Sequence, residues 1–381
     1  MTIANQPRFT GRSLVLFREG AVTEGMQMLR ERVATRSADN MLSFENLGVA
    51  VIDAAPEELS TNTRSVGDSV ILAIEPERFF YPIVNLQDSS TSNQFDESHY
   101  TWGLQATGAI DSHATGAGIK VAILDTGLDL KHPDFQERTI VSKSFVPNED
   151  VQDALGHGTH CAGTACGSFK PSTSPRYGVA YEAEIYVGKV LSNRGFGNGE
   201  WILAGMEWAL ASGCHIISMS LGSATEPDEP FSEFYEIVAK RILNRGTLII
   251  AAAGNESRRR DGVIKPCASP ANCPSIMAVA ALDSNLQVAD FSCSGTDAEG
   301  GEINIAAPGV DVYSSVPMPK QYDRYAGTSM ATPHVAGIAA LHAQITELRG
   351  QELWNTLTQN AQCLDLPVSD VGVGIAKAPA K

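Results

Sequence analysis

Apolar positions along the chain fall into two regimes that change near residue 100. Before that point they come in short units. Residues 13–17 read as a strand, and Met26, Leu29 and Val33 recur at helical spacing over residues 23–33. Residues 41–44 and 49–52 read as strands. Residues 56–59 open a short helix with acids in its first turn, and 70–74 form a last strand. A β-α-β-β-α-β order over residues 1–84 predicts a small two-layer α+β domain. A unit of that size has little core of its own and is expected to dock on something larger. The polar, aperiodic run from Gln87 to Gln94 sits in a linker over residues 85–99, exposed and open to proteolysis.

From Tyr100 onward the apolar stretches lengthen. Residues 119–124, 184–190, 215–220 and 246–253 are near-continuous apolar runs. Residues 158–166, 200–212, 230–244 and 332–349 carry helical patterns between and after them. Such alternation predicts a mostly parallel sheet covered on both faces, a three-layer α/β domain over residues 100–381. Ligands of these sheets gather at the carboxyl ends of strands. Asp125 ends one apolar run, Ser220 another, and Asn255 follows a third.

Composition narrows the partners. The 381 residues are 43% hydrophobic and 19% charged, enough to build one large core. A formal net charge of −16 argues against nucleic acid or an anionic membrane surface as a main partner. No stretch reaches the roughly 18 apolar residues of a membrane span. The first residues show no basic region followed by an apolar core, so a cytoplasmic protein, or one exported by another route, is expected. Seven cysteines leave at least one unpaired in a monomer, and Cys267 with Cys273 is the pair to watch for a bridge.

The chemistry centres on the run from Gly327 to Gly337. Ser329 follows Gly-Thr and precedes a small, apolar run, as a nucleophile does where a loop becomes a helix, and Pro333 fits the first helical turn. A serine hydroxyl is weak alone and needs a base, an orienting acid and oxyanion donors. Asp125 lies in Asp125-Thr126-Gly127, and His157 in Gly156-His157-Gly158-Thr159-His160. Asn255 follows Ala253-Gly254 and can offer a side-chain amide to a developing oxyanion. Singly, a strand-end Asp reads as a turn residue and a His as a structural hydrogen-bonder. Together the four supply every group that serine-based acyl transfer requires.

These motifs resemble the three active-site signatures of the subtilisin-like serine proteases, in that family's Asp, His, Ser order, over about residues 100–355. The resemblance implies that Asp125, His157 and Ser329 are acid, base and nucleophile, that Asn255 serves the oxyanion, and that His160 and His334 are structural. It implies a serine endopeptidase whose extended peptide or unfolded protein substrate pairs with Gly195-Phe196-Gly197 and Ser220-Leu221-Gly222. Glu256 then borders the first specificity pocket, where a basic or an apolar residue is accepted. Gly199 replaces an aromatic that many relatives carry over the fourth pocket, with Phe196 as a compensating ring. Residues 1–84 resemble the family's ferredoxin-like propeptide, an intramolecular chaperone and inhibitor. Autocatalytic cleavage of such a zymogen falls between Pro82 and Tyr100, where Leu86 and Phe95 are the pocket-filling side chains of the linker.

The resemblance further offers Asp134 as one ligand of a structural calcium site. The loop over residues 167–176 supplies no carboxylate toward it, so calcium stays an open expectation, while the chemistry itself needs no cofactor. Cys161 matches a thiol-bearing branch and reads as a buried thiol near His157. Alternatives left standing are a maturation protease or peptide transferase or cyclase of narrow specificity, and a permanently inhibited binding protein.

Overall fold

The computed structural model describes residues 8–31, 41–63, 70–84, 94–296 and 300–380. The end of the expected first helix and most of the polar linker, including Leu86, lie outside them. In the N-terminal unit, β1 (Phe9–Phe17), β2 (Leu42–Phe44), β3 (Val49–Ile52) and β4 (Ile71–Pro82) form an antiparallel sheet in the order β4-β1-β3-β2. Helices Val22–Arg30 and Pro56–Thr63 cover one face. The period of two sorts β1: Val15 and Phe17 pack with Met26, Leu29 and Leu59 under those helices. Leu14 and Leu16 point the other way and join Ile202, Phe234 and Val238 of the larger domain. Both faces of this small sheet are therefore covered, the second only by docking.

The larger domain is built on β5 (Lys120–Asp125), β6 (Ile140–Ser144), β7 (Glu184–Lys189), β9 (Ile216–Met219), β11 (Leu248–Ala252), β12 (Met277–Leu282) and β13 (Ile305–Pro308). These run in the order β13-β12-β11-β9-β5-β7-β6, and every pairing between neighbours is parallel. Helices His157–Cys166 and Thr328–Thr346 cover one face, and Gly199–Ala211 with Glu233–Asn244 cover the other. This is the expected three-layer α/β architecture. Two short strands, β8 (Gly197–Asn198) and β10 (Leu221–Gly222), and a hairpin of β14 (Val312–Ser315) and β15 (Tyr322–Tyr325) complete the strands.

β4 is longer than its apolar run of residues 70–74 suggests. Beyond Ile74 it carries Glu75, Glu77 and Arg78 in a pattern that reads as surface. Their partners come from the larger domain. Glu75 accepts from Ser232 Oγ and from Phe234 N–H (3.0 Å), at the start of helix Glu233–Asn244. Fully buried Glu77 accepts from Glu200 N–H at 2.8 Å, at the start of helix Gly199–Ala211, and pairs with Arg12. Carboxylates at two helix N-termini satisfy donors that the helices leave open and oppose the positive ends of their dipoles. Among the described residues no helix is long and apolar enough to cross a membrane. All seven cysteines are free, including Cys267 and Cys273. That pair forms no bridge: the Cys273 thiol faces Ser232 O at 3.7 Å, while Cys267 faces its neighbour's carbonyl.

Candidate active site

Strand β5 ends on Asp125, and the helix that starts at His157 packs against that end. His157 Nδ1 and Asp125 Oδ1 lie 2.7 Å apart, both side chains buried. Burial alone would lower the imidazole's pKa, but the Asp125 charge and hydrogen bond outweigh it and hold it well above the ordinary value. The Ser329 hydroxyl does not face this base. It donates to Ser220 O at 2.9 Å and accepts from Ile83 N–H at 3.1 Å, and His157 Nε2 is buried without a hydrogen-bond partner among the described residues. Asp125 and His157 are joined, while the Ser329 hydroxyl lies between Ser220 O and Ile83 N–H.

Helix Thr328–Thr346 begins earlier than its apolar pattern, and Pro333 lies inside it rather than in its first turn. A proline there withholds the N–H that would bond the carbonyl four residues back, Ser329 O. Ser220 Oγ donates to that oxygen at 2.8 Å and the Cys161 thiol lies 3.5 Å from it. The helix tolerates its proline because two neighbouring side chains satisfy the freed acceptor.

Asn255 Nδ2 donates to Ile83 O at 3.0 Å. The amide is aimed by its other end, because Oδ1 accepts from Thr328 N–H at 2.9 Å and Thr328 Oγ1 at 3.0 Å. Gly327 is required by close approach: a Cβ there would sit 2.5 Å from Ile83 O and 3.0 Å from Asn255 Nδ2. Thr328 therefore orients the donor, a role that its place in a Gly-Thr-Ser run does not advertise.

Asp153 also escapes sequence reasoning. One oxygen accepts from Thr126 Oγ1 and from the N–H groups of Leu155 and Gly156, and the other from Thr159 N–H and Oγ1. Burial raises its pKa, opposed by the bonds from Gly156 and Thr159. It ties the turn after Asp125 to the first turn of the His157 helix, whose own N-cap, Gly156, has no side chain to offer. The only local signal is an Asp four residues before His157, short of a helix start.

His160 Nε2 meets Val312 O at 2.9 Å and its ring stacks on Tyr325, while His334 Nδ1 meets Met330 O at 2.8 Å. Burial pulls their pKa values down to about 3 and about 4, so both are neutral packing groups. The Cys161 thiol lies 3.9 Å from His157 Nδ1, and burial raises its pKa. Ligand atoms of Asp125, His157 and Cys161 fall within 4.8 Å of one another. This cluster is the hydrogen-bonded acid and base with a protonated neighbour.

The cleft is filled by the chain's own β4. It pairs antiparallel with β8, Phe79 opposite Asn198 and Phe80 opposite Gly197, and with β10, Tyr81 opposite Gly222 and Pro82 opposite Leu221. Phe196 packs edge-on to Phe79, and Gly195 lies beside Pro82. Ile83 N–H reaches Ser220 O at 3.4 Å, and its buried side chain lies against Gly222. Phe80 and Ile83 are buried side chains of this segment, whereas Phe95 stacks on Trp102. Glu256 accepts from the Cys293 thiol at 3.3 Å, and its burial raises its pKa.

Asp134 does not fit a calcium ion. Its Oδ1 accepts from Ser172 N–H and Oγ, and its Oδ2 from the hydroxyls of Tyr177 (2.7 Å) and Tyr322 (2.9 Å). Four donor hydrogens stand where a cation needs oxygen lone pairs. Asp134→Ala is expected to lower stability by about 3 kcal/mol, since it leaves the buried Tyr177 hydroxyl and the half-buried Tyr322 hydroxyl without their acceptor. Chemical denaturation should return the same loss in excess calcium and in chelator. A loss confined to calcium would restore Asp134 as a ligand.

The model of the Subtilase family matches residues 116–375. Subtilisin E of Bacillus subtilis (strain 168) is 41% identical over 229 residues, covering 60% of this chain and 56% of the relative. M-protease of Shouchella clausii is 37% identical over 305 residues, 79% of this chain and 70% of the relative. Intracellular serine protease of Paenibacillus polymyxa is 37% identical over 242 residues, 62% and 70% respectively. The matched stretch thus spans little more than half the length of subtilisin E.

Proposed function

The chain belongs to the subtilase family, and on that footing we propose that it is a serine endopeptidase made as a self-inhibited zymogen. Residues 1–83 are its ferredoxin-like propeptide, and the bond between Ile83 and Val84 is its processing site. The observation that carries this reading is the seat of Ile83, with its carbonyl on Asn255 Nδ2 and its N–H between Ser329 Oγ and Ser220 O. A processing site here lies just before the polar stretch, immediately past the end of β4.

The chemistry follows from the groups in place. A rotation about the Ser329 side chain moves its hydroxyl from Ser220 O to His157 Nε2, which takes the proton as Oγ attacks the Ile83 carbonyl carbon. Asn255 Nδ2 and the Ser329 N–H, free because it lies in the first helical turn, hold the oxyanion. Asp125 stabilises the imidazolium, which then passes its proton to the departing Val84 amine. Water resolves the acyl-enzyme by the same route. Extended peptide and unfolded protein substrates take the place of residues 79–83 between β8 and β10. Ile83 in the first pocket, with Glu256 already accepting from the Cys293 thiol, favours an apolar residue there over a basic one. The test is N-terminal sequencing after incubation of the full chain, which is expected to return Val84. A cut elsewhere, with no turnover of an unfolded protein, sinks the reading.

A pH dependence follows with a definite sign. The base must be neutral, and Asp125 raises the pKa of its imidazole. kcat/KM is therefore lost as pH falls, with a midpoint above the ordinary value of about 6.5. A midpoint below it, in a profile against a peptide substrate, contradicts the coupling of His157 to Asp125.

A further inference from the structure

We propose that Tyr235 is a specificity-determining residue, selecting substrates whose side chain four positions before the cut ends in a hydrogen-bonding group. This rests on the endopeptidase reading and on Ile83 as the residue before the cut, which makes Phe80 the fourth. Phe80 is fully buried, with its ring edge-on to Tyr235 at a centroid distance of 5.7 Å and an interplanar angle of 81°. Tyr235, on helix Glu233–Asn244, is 2% exposed, and its hydroxyl has no hydrogen-bond partner among the described residues. A buried hydroxyl left unpaired is costly, so a pocket that carries one is incomplete without a partner for it.

The surroundings show where that partner enters. A Cβ on Gly199 would lie 3.2 Å from the Tyr235 hydroxyl oxygen, 2.9 Å from Glu77 Cγ and 3.3 Å from Leu14 Cδ2. The missing side chain leaves a space in the pocket wall that the Tyr235 hydroxyl borders together with Glu77 Cγ and Leu14 Cδ2 of the N-terminal unit. The Glu77 carboxylate is engaged elsewhere, by Arg12 and by Glu200 N–H. Leu14, Glu77 and Phe80 all leave with the propeptide, which uncovers the hydroxyl toward the fourth pocket. Phenylalanine there fills the space and leaves the hydroxyl unpaired, whereas tyrosine fills it and pairs it. A site built around a polar group rejects the analogue that lacks the complement. By the same logic the propeptide is a submaximal ligand of its own cleft, which favours its release once cut.

The experiment uses the processed enzyme and peptides sharing Tyr-Pro-Ile before the cut, with phenylalanine, tyrosine or p-methylphenylalanine at the fourth position. The tyrosine peptide is expected to show kcat/KM roughly five- to ten-fold above the other two, the factor that one added hydrogen bond supplies. In Tyr235→Phe the tyrosine-to-phenylalanine ratio falls to about one. Equal rates for tyrosine and p-methylphenylalanine in the wild type assign any preference to size and overturn the proposal, whether or not the variant folds. A wild-type ratio of one or less, or a preference that survives in Tyr235→Phe, overturns it as well. Complete absence of turnover, on an unfolded protein too, instead overturns the endopeptidase reading beneath it.

Discussion

Ser329→Ala is expected to leave the chain whole after an incubation in which the wild type separates at Ile83–Val84, and to abolish turnover of an unfolded protein. The expected loss is on the order of 10⁵–10⁶ in kcat, because nucleophile and base act as one unit and neither works alone. The fold should survive. Among the described residues the Ser329 hydroxyl bonds to Ser220 O and Ile83 N–H, and the helix start is held by backbone and by Thr328, so truncation removes little packing. Intact-mass analysis reads the first outcome and a fluorogenic protein substrate the second. Cleavage of the variant at the wild-type rate would transfer the chemistry to another group, with the buried Cys161 thiol 3.9 Å from His157 the nearest to suspect.

Asn255→Ala should be the next most damaging change, with kcat down by about 10² to 10³, or roughly 3–4 kcal/mol, and KM nearly constant. Charge develops on the carbonyl oxygen only as the bond to Ser329 forms, so the Nδ2 hydrogen bond strengthens toward the transition state and contributes less to ground-state binding. The donor is preorganised, since Thr328 N–H and Oγ1 both fix its Oδ1. Steady-state kinetics on one peptide separates the alternatives. A rise in KM with kcat held would mean that Asn255 binds substrate uniformly and does not serve the oxyanion.

Short-range features were open to reading without coordinates. Asp125 at the end of an apolar run, His157 before a helix and Ser329 between Gly-Thr and a small-residue helix each announce themselves through neighbours within a few positions. The apolar runs at 119–124, 184–190, 215–220 and 246–253 appear as β5, β7, β9 and β11, because strands buried on both faces must be apolar throughout. Strands β6 and β15 did not stand out: β6 carries Ser142, Lys143 and Ser144, and β15 reads Tyr-Asp-Arg-Tyr. One is a sheet edge and the other half of a two-stranded hairpin, and such positions demand little apolar character.

Sequence by itself determined the chemical kit, the class of fold and the presence of a small N-terminal unit with too little core to stand alone. Tertiary structure decided everything that joins residues far apart in the chain. It carried β4 past its apolar core into the cleft, because Glu75 and Glu77 find helix N-termini more than a hundred residues away. It turned Asp134 from a candidate cation ligand into an acceptor for two tyrosines and let Pro333 sit within a helix. The physical reason is the same in each case: a polar group's role is set by whichever donor or acceptor lies within about 3 Å of it, and in these cases that partner is supplied by the fold.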